Sequence, residues 1–159
     1  MKNYMKLEIM AIGENEGFAR SAVAAFALCL NPSLSELSDI KTAVSEAVTN
    51  SVVHAYKKAG EGKILIECMA NQDEATAQLH IKISDFGCGI EDTEKVVAPF
   101  YTSLPDEERS GMGFTIMQAF MDEFSLTSEK DKGTTVQMLK KIGEELTADR
   151  QEEQERIHA

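Results

Sequence analysis

The chain opens on an alternating pattern. Across residues 5–12 Leu7, Ile9 and Ala11 share one side of an extended segment, which predicts a first strand. From about Asn15 to Leu30 the period lengthens. Phe18, Ala22, Phe26 and Cys29 recur at helical spacing, and Asn31-Pro32 ends the helix. Ser33 and Glu36 form a capping box for a short helical turn. A long helix is predicted from about Ser38 to Lys57, burying Ile40, Val44, Ala47, Val48, Val52 and Ala55 before Gly60-Glu61-Gly62 stops it. Alternation returns in residues 63–69 and 76–85, which flank the polar turn Asn71-Gln72-Asp73-Glu74 and read as a hairpin.

Between Gly87 and Gly113 lie four glycines, two prolines and many charges, with room only for a short helix at 92–97. A loop of that length in a compact domain is usually functional. A helix at 114–121 and strands at 124–129 and 134–142, joined by Asp131-Lys132-Gly133, complete the pattern. The expected organisation is one domain over 1–142 and a charged C-terminal tail over 143–159. Hairpins interspersed with helices predict an α+β sandwich, with helices on one face of a mainly antiparallel mixed sheet.

Composition narrows the partners. With 159 residues, 43% of them hydrophobic, the chain suits a single core. A net charge of −11 argues against direct binding of nucleic acid, whose phosphates demand a cationic face. It suits protein partners of basic or mixed charge. No apolar run approaches the roughly 20 residues that span a bilayer, so no membrane association is expected. The first residues lack the apolar stretch of a signal peptide. Cys29, Cys68 and Cys88 have no metal-ligand spacing and read as reduced thiols of a cytoplasmic protein.

Four short constellations carry candidate chemistry. Glu46, Asn50 and His54 recur every four residues along the long helix, a polar stripe bordering its apolar face. A carboxylate and an amide oxygen one turn apart can share a hard cation or orient a water. They also suit an ordinary solvated helix face. Asp85 keeps register with Leu79, Ile81 and Ile83, so it is expected to face the helix layer, where a carboxylate needs a donor such as the exocyclic amine of a purine. Gly87 and Gly89 follow, in Asp85-Phe86-Gly87-Cys88-Gly89-Ile90, and permit close backbone approach. A capping Asp at a strand-to-loop turn reads equally well. Arg109-Ser110-Gly111-Met112-Gly113-Phe114 leads into a helix, whose N-terminal amides suit a phosphate. It is neither a P-loop nor a Rossmann fingerprint. Gly133-Thr134-Thr135 offers a hydroxyl for the same ligand, or simply a β-turn.

In that order the motifs resemble the GHKL ATP-binding superfamily, shared by Hsp90, gyrase, MutL and histidine kinases. Glu46 to Asn50 with His54 resembles its N box, Asp85 to Ile90 its D-x-G-x-G-I box, and Gly111 to Gly113 and Gly133 to Thr135 its later glycine boxes. Ser45–Asn50, Glu108–Met117 and Phe120–Glu123 narrow the resemblance to the anti-sigma F family of endospore-forming bacteria, over residues 5–142. The resemblance implies a Bergerat-type two-layer sandwich and a protein-serine kinase using ATP and Mg²⁺. It implies Glu46 as general base and Asn50 as the Mg²⁺ ligand. Asp85 would read adenine, with Gly87, Gly89 and Ile90 lining the base pocket and Thr134 on the adenine side. Residues 91–110 would be the lid, and Ser110, Gly111, Met112, Gly113 and Phe114 would bind phosphates. Implied partners are a sigma factor of the sigma F type, inhibited by a homodimer, and an anti-anti-sigma protein phosphorylated on serine. Arg20 and Arg109 would lie at those partner surfaces.

Other readings are an ATP-gated sigma-binding module without phosphoryl transfer and a related stress-response anti-sigma kinase. A histidine kinase or a gyrase-like ATPase is disfavoured, since each is expected to need a further module before or after this domain.

Overall fold

The computed structural model describes residues 1–56, 62–96, 113–143, 152 and 155–159. Five strands form one sheet: β1 (Lys2–Met10), β2 (Lys63–Gln72), β3 (Ala77–Asp85), β4 (Glu123–Glu129) and β5 (Gly133–Ile142), in the order β1-β2-β3-β5-β4. Each pairing is antiparallel. Helices α1 (Asn15–Ala27), α2 (Leu34–Asn50) and α4 (Gly113–Phe120) cover one face, and the short α3 (Thr93–Val96) follows the glycine-containing loop after β3. Ile64, Ile66, Cys68, Leu79, Ile81, Ile83, Val136 and Met138 alternate inward from the strands to meet Val23, Ile40, Val44, Val48 and Met117 from the helices. This is the expected α+β arrangement. The β2–β3 hairpin turns at Asp73, whose carboxylate accepts from the backbone N–H of Ala75 and Thr76.

Two helices depart from the periodicity reading. Along α1 the buried face is Ala19, Val23 and Ala27, all fully inaccessible, whereas Phe18 is 54% exposed. The core face therefore lies one residue, about 100° of turn, from the one the larger side chains predict. Small residues win because they let α1 approach its neighbours closely, leaving Phe26 and Cys29 at the margin of the core. The second departure is the start of α2. Ser33 and Glu36 do make a reciprocal capping box, but it caps α2 itself. With no breaker between Leu34 and Ser38, the separate turn and helix merge into one. After Asn50 the helix widens into a π-turn over Ser51–Ala55.

A buried ion pair fastens the layers together. Lys140 of β5 is 1% exposed and Asp39 of α2 is 5% exposed. The ammonium donates to Asp39 Oδ2 at 2.8 Å and to the Phe120 carbonyl, at the end of α4, also at 2.8 Å. A cation at a helix C-terminus meets the negative end of its dipole, and the two oxygens offset the cost of removing the charge from water. In the described part of the tail, the His158 ring rests edge-on against Phe120, with centroids 5.2 Å apart.

Lys140→Met should strand a buried carboxylate and lower stability by about 3–5 kcal/mol in urea unfolding. Replacing both partners, Asp39→Leu with Lys140→Met, should recover most of that loss. Equal losses for the single and double variants would show that the pair is not what the core requires.

Candidate functional site

The site is built at the C-terminal end of α2. Glu46 and Asn50 lie one turn apart, both half-buried, and they converge on the first residue of α4. A methyl group placed on Gly113 would sit 3.0 Å from Asn50 Nδ2, 3.3 Å from Asn50 Oδ1 and 3.2 Å from Glu46 Oε2. A side chain here would press on the ends of both polar side chains, so glycine lets the start of α4 approach the pair without displacing them. The carboxylate and the amide therefore flank the positive end of a helix dipole, where amide N–H groups are still without intrahelical partners.

Glu46 and Asn50 stack within α2, while His54, four residues further on, lies in the π-turn that follows the helix. The π-turn has its own use. Its carbonyls reach the loop after β3: Cys88 N–H donates to Ala55 O at 2.8 Å, and the Cys88 thiol to His54 O at 3.3 Å. A methyl on Gly87 would fall 2.2 Å from Ala55 O, so this glycine is required by the protein's own backbone. Gly89, at φ +69°, would collide with Glu129 O at 2.0 Å if it carried a side chain.

Asp85 closes β3 on the helix side, as its register with Ile81 and Ile83 predicts, and it is 7% exposed. Its Oδ1 accepts from the N–H of Gly87 at 3.2 Å and of Thr134 at 3.1 Å, and its Oδ2 from the Ser51 hydroxyl at 3.2 Å. Burial raises its pKa above the usual carboxylate value, and these three donors pull the other way. Next to it, Ser128 of β4 pairs directly with Thr134 of β5. The Ser128 hydroxyl lies 2.8 Å from Thr134 Oγ1 and 3.0 Å from Gly133 O, and it accepts from Ile90 N–H at 2.8 Å.

Glu46, Asn50 and Gly113 thus meet at one point, and Asp85, Gly87, Gly89, Ile90 and Thr134 at another, with Ser51 linking α2 to the second. The Phe114 side chain goes elsewhere, tilted against Phe124 with centroids 6.0 Å apart. Arg20 is half-exposed, 3.3 Å from the Glu16 carboxylate and 3.4 Å from the Ser45 hydroxyl. Arg109, Ser110, Gly111 and Met112 lie outside the described residues, as does most of the expected 91–110 lid. Sequence reasoning missed Ser51 and Ser128. Each is a hydroxyl among inward-facing positions: Ser51 next to the apolar Ala47–Val48 stretch, and Ser128 in step with Phe124 and Leu126.

Residues 14–140 match the histidine kinase-like ATPase domain family. An anti-sigma F factor of Clostridium botulinum (strain Eklund 17B / Type B) is 54% identical over 141 residues, covering 89% of this chain and 96% of that protein. One from Oceanobacillus iheyensis is 48% identical over 147 residues, covering 92% and 98%. The chain belongs to the anti-sigma F factor family. Its fold also resembles part of a solved structure of the RsbU and RsbW domains of Rv1364c from Mycobacterium tuberculosis, with a TM-score of 0.61 at 17% identity, over 88% of this chain and 32% of that one. As a GHKL-type anti-sigma factor with a histidine kinase-like ATPase domain, this family member carries a nucleotide-binding fold. Both residue clusters lie inside the matched span. Among the described residues no helix is long and apolar enough to cross a membrane, and no three His, Cys, Asp or Glu side chains form a metal cage.

Asp85 binds its proton more tightly in the folded chain than in the unfolded one. Between the two pKa values the folded state holds more protons, so its contribution to stability falls as pH rises through that window. Wild type should therefore gain stability relative to Asp85→Asn as pH is lowered from neutral through the carboxylate range, with no further gain below the unfolded pKa. Urea unfolding of both proteins across pH checks this, and a constant difference would contradict it.

Proposed function

We propose that this protein is an ATP-dependent serine kinase and a sigma-factor inhibitor in one chain. The observation that carries the reading is the meeting of Glu46 and Asn50 at the N-terminus of α4, with the Asp85 cluster at the strand ends joined to the same helical segment through Ser51. One cluster suits phosphates and a metal, and the other a base bearing an exocyclic amine. Asp85 accepts from the adenine amine, with Thr134 beside it and the Gly87–Ile90 loop against the base. Ser110, Gly111, Met112, Gly113 and Phe114 offer backbone amides to the phosphates.

The donor set fits Mg²⁺. An amide oxygen, Asn50 Oδ1, one helical turn from the Glu46 carboxylate, suits a hard cation that takes most of its ligands from phosphate and water. When bound, it supplies charge neutralisation across the phosphates. Glu46 takes the proton of the acceptor serine hydroxyl as that oxygen bonds to the γ-phosphorus. The bond to the β–γ bridging oxygen breaks, and ADP leaves with the electron pair. The chain's contribution is positioning and a carboxylate base for an in-line transfer.

The regulated partner is a sigma factor of the sigma F type, held by a homodimer of this protein in the cytoplasm. The phosphorylated partner is an anti-anti-sigma protein. Arg20, anchored by Glu16 and Ser45, presents a fixed guanidinium to one of them, and Arg109 is assigned to the same partner surfaces. Arginine is enriched at such surfaces.

Mixing the protein with Mg-ATP and the anti-anti-sigma protein of the same genome should yield a single phosphoserine on the partner, seen by mass spectrometry. Glu46→Gln should lower that rate by about 10²–10⁴-fold while ATP binding persists. ATP-dependent capture of sigma factor with no transfer would instead identify a binding module. Unchanged phosphorylation by Glu46→Gln would remove Glu46 as the base.

A further inference from the structure

Asp85, Thr134 and Ser128 lie side by side at the ends of β3, β5 and β4, all on the helix face. Ser128 is the outermost of the three, and nothing in the proposed chemistry uses it. Yet it makes three polar contacts: Ile90 N–H donates to it at 2.8 Å, Gly133 O lies at 3.0 Å, and Thr134 Oγ1 lies at 2.8 Å. A serine hydroxyl has one proton and two lone pairs. The Gly133 carbonyl accepts only, so the arrangement that satisfies it sends the Ser128 proton there. With the proton there, Ile90 N–H fills one lone pair and the Thr134 hydroxyl donates into the other.

The consequence falls on Thr134. Its backbone N–H is engaged by Asp85 Oδ1 at 3.1 Å, and in that arrangement its hydroxyl proton is directed to Ser128, 2.8 Å away. What remains on Thr134 Oγ1 is a lone pair. Asp85 is likewise an acceptor, its own donors being Gly87 N–H, Thr134 N–H and the Ser51 hydroxyl. Two adjacent acceptors favour a ring substituent that donates and repel one that accepts.

We infer that Ser128 is a positioning residue which sets the Thr134 hydroxyl as an acceptor, and so makes the site select a 6-amino purine over a 6-oxo purine. The inference rests on the reading of the Asp85 cluster as the base site. Without the Ser128 oxygen, the Thr134 proton is free to turn toward a 6-oxo group, and the penalty against that group falls.

The test compares binding of Mg-ATP and Mg-ITP to the full chain by calorimetry, because ITP carries a 6-oxo group in place of the amine. Wild type should prefer ATP. Ser128→Ala should narrow the ATP:ITP affinity ratio about tenfold, the discrimination expected of one hydrogen bond, mainly by binding ITP more tightly. Ser128→Thr, which keeps the hydroxyl, should hold the wild-type ratio. Thr134→Val should narrow the ratio as well, and adding Ser128→Ala to it should change nothing further. That double variant also decides the matter if Ser128→Ala alone folds poorly. A ratio left unchanged by Ser128→Ala, or equal weakening of both nucleotides, would overturn the inference. If Asp85→Asn shifts the ratio while Ser128→Ala does not, the base-site reading stands and this one falls. If wild type shows no preference, or Asp85→Asn leaves it unaltered, both fall together.

Discussion

Removal of the Asp85 carboxylate from water is the constraint around which the site is organised. A buried ionised group needs hydrogen-bond donors on every side that lacks solvent, and here each donor comes from a different part of the chain. Ser51 comes from the π-turn after α2, Gly87 from the loop after β3, and Thr134 from the start of β5. Satisfying one side chain thus fixes the relative positions of three segments. The residual desolvation keeps the carboxylate's proton affinity high, a state that an incoming donor can relieve. A stabilising contact and an appetite for a ligand are the same feature of this group.

The π-turn is the second element of that organisation. An α-helix continued past Asn50 would spend its carbonyls on its own N–H groups. Here the helical winding ends at Ala55, and the carbonyls of its last two residues, His54 O and Ala55 O, receive the Cys88 thiol and amide. The helix that carries Glu46 and Asn50 is thereby joined through backbone bonds to the loop that follows Asp85. Gly87 and Gly113 allow the two close approaches, one against Ala55 O and the other against the Glu46–Asn50 pair. At the far end of α4, the Phe120 carbonyl is held by Lys140, so both ends of this short helix are tied to α2: one by approach to Asn50, the other through the Lys140–Asp39 pair.

Much of this was legible in the order of residues. Strand alternation placed all five strands to within a few residues and set Asp85 on the helix side. The Ser33/Glu36 capping box was read correctly as a helix start, though of the wrong length. The family relation was visible in the spacing of Glu46–Asn50, Asp85–Ile90, Gly111–Gly113 and Gly133–Thr135. The α1 face was misread because periodicity weighs residues by size, while a close helix contact selects alanine and lets Phe18 face outward. The buried Lys140 and Asp39 were also invisible, since each alone reads as a surface charge and only their meeting makes burial tolerable.

The sequence by itself determined what is local and periodic: which segments extend, which coil, where caps and glycines interrupt them, and which short motifs carry the chemistry. Those properties depend on neighbours within a few positions, so a single chain suffices to read them. Only the tertiary structure decided which groups share a proton or a charge. Ser51 lies 34 residues from Asp85, Thr134 lies 49 away, and Lys140 lies 101 from Asp39. Hydrogen bonds and ion pairs act over about 3 Å, and no spacing along the chain reports which distant atoms will come within it.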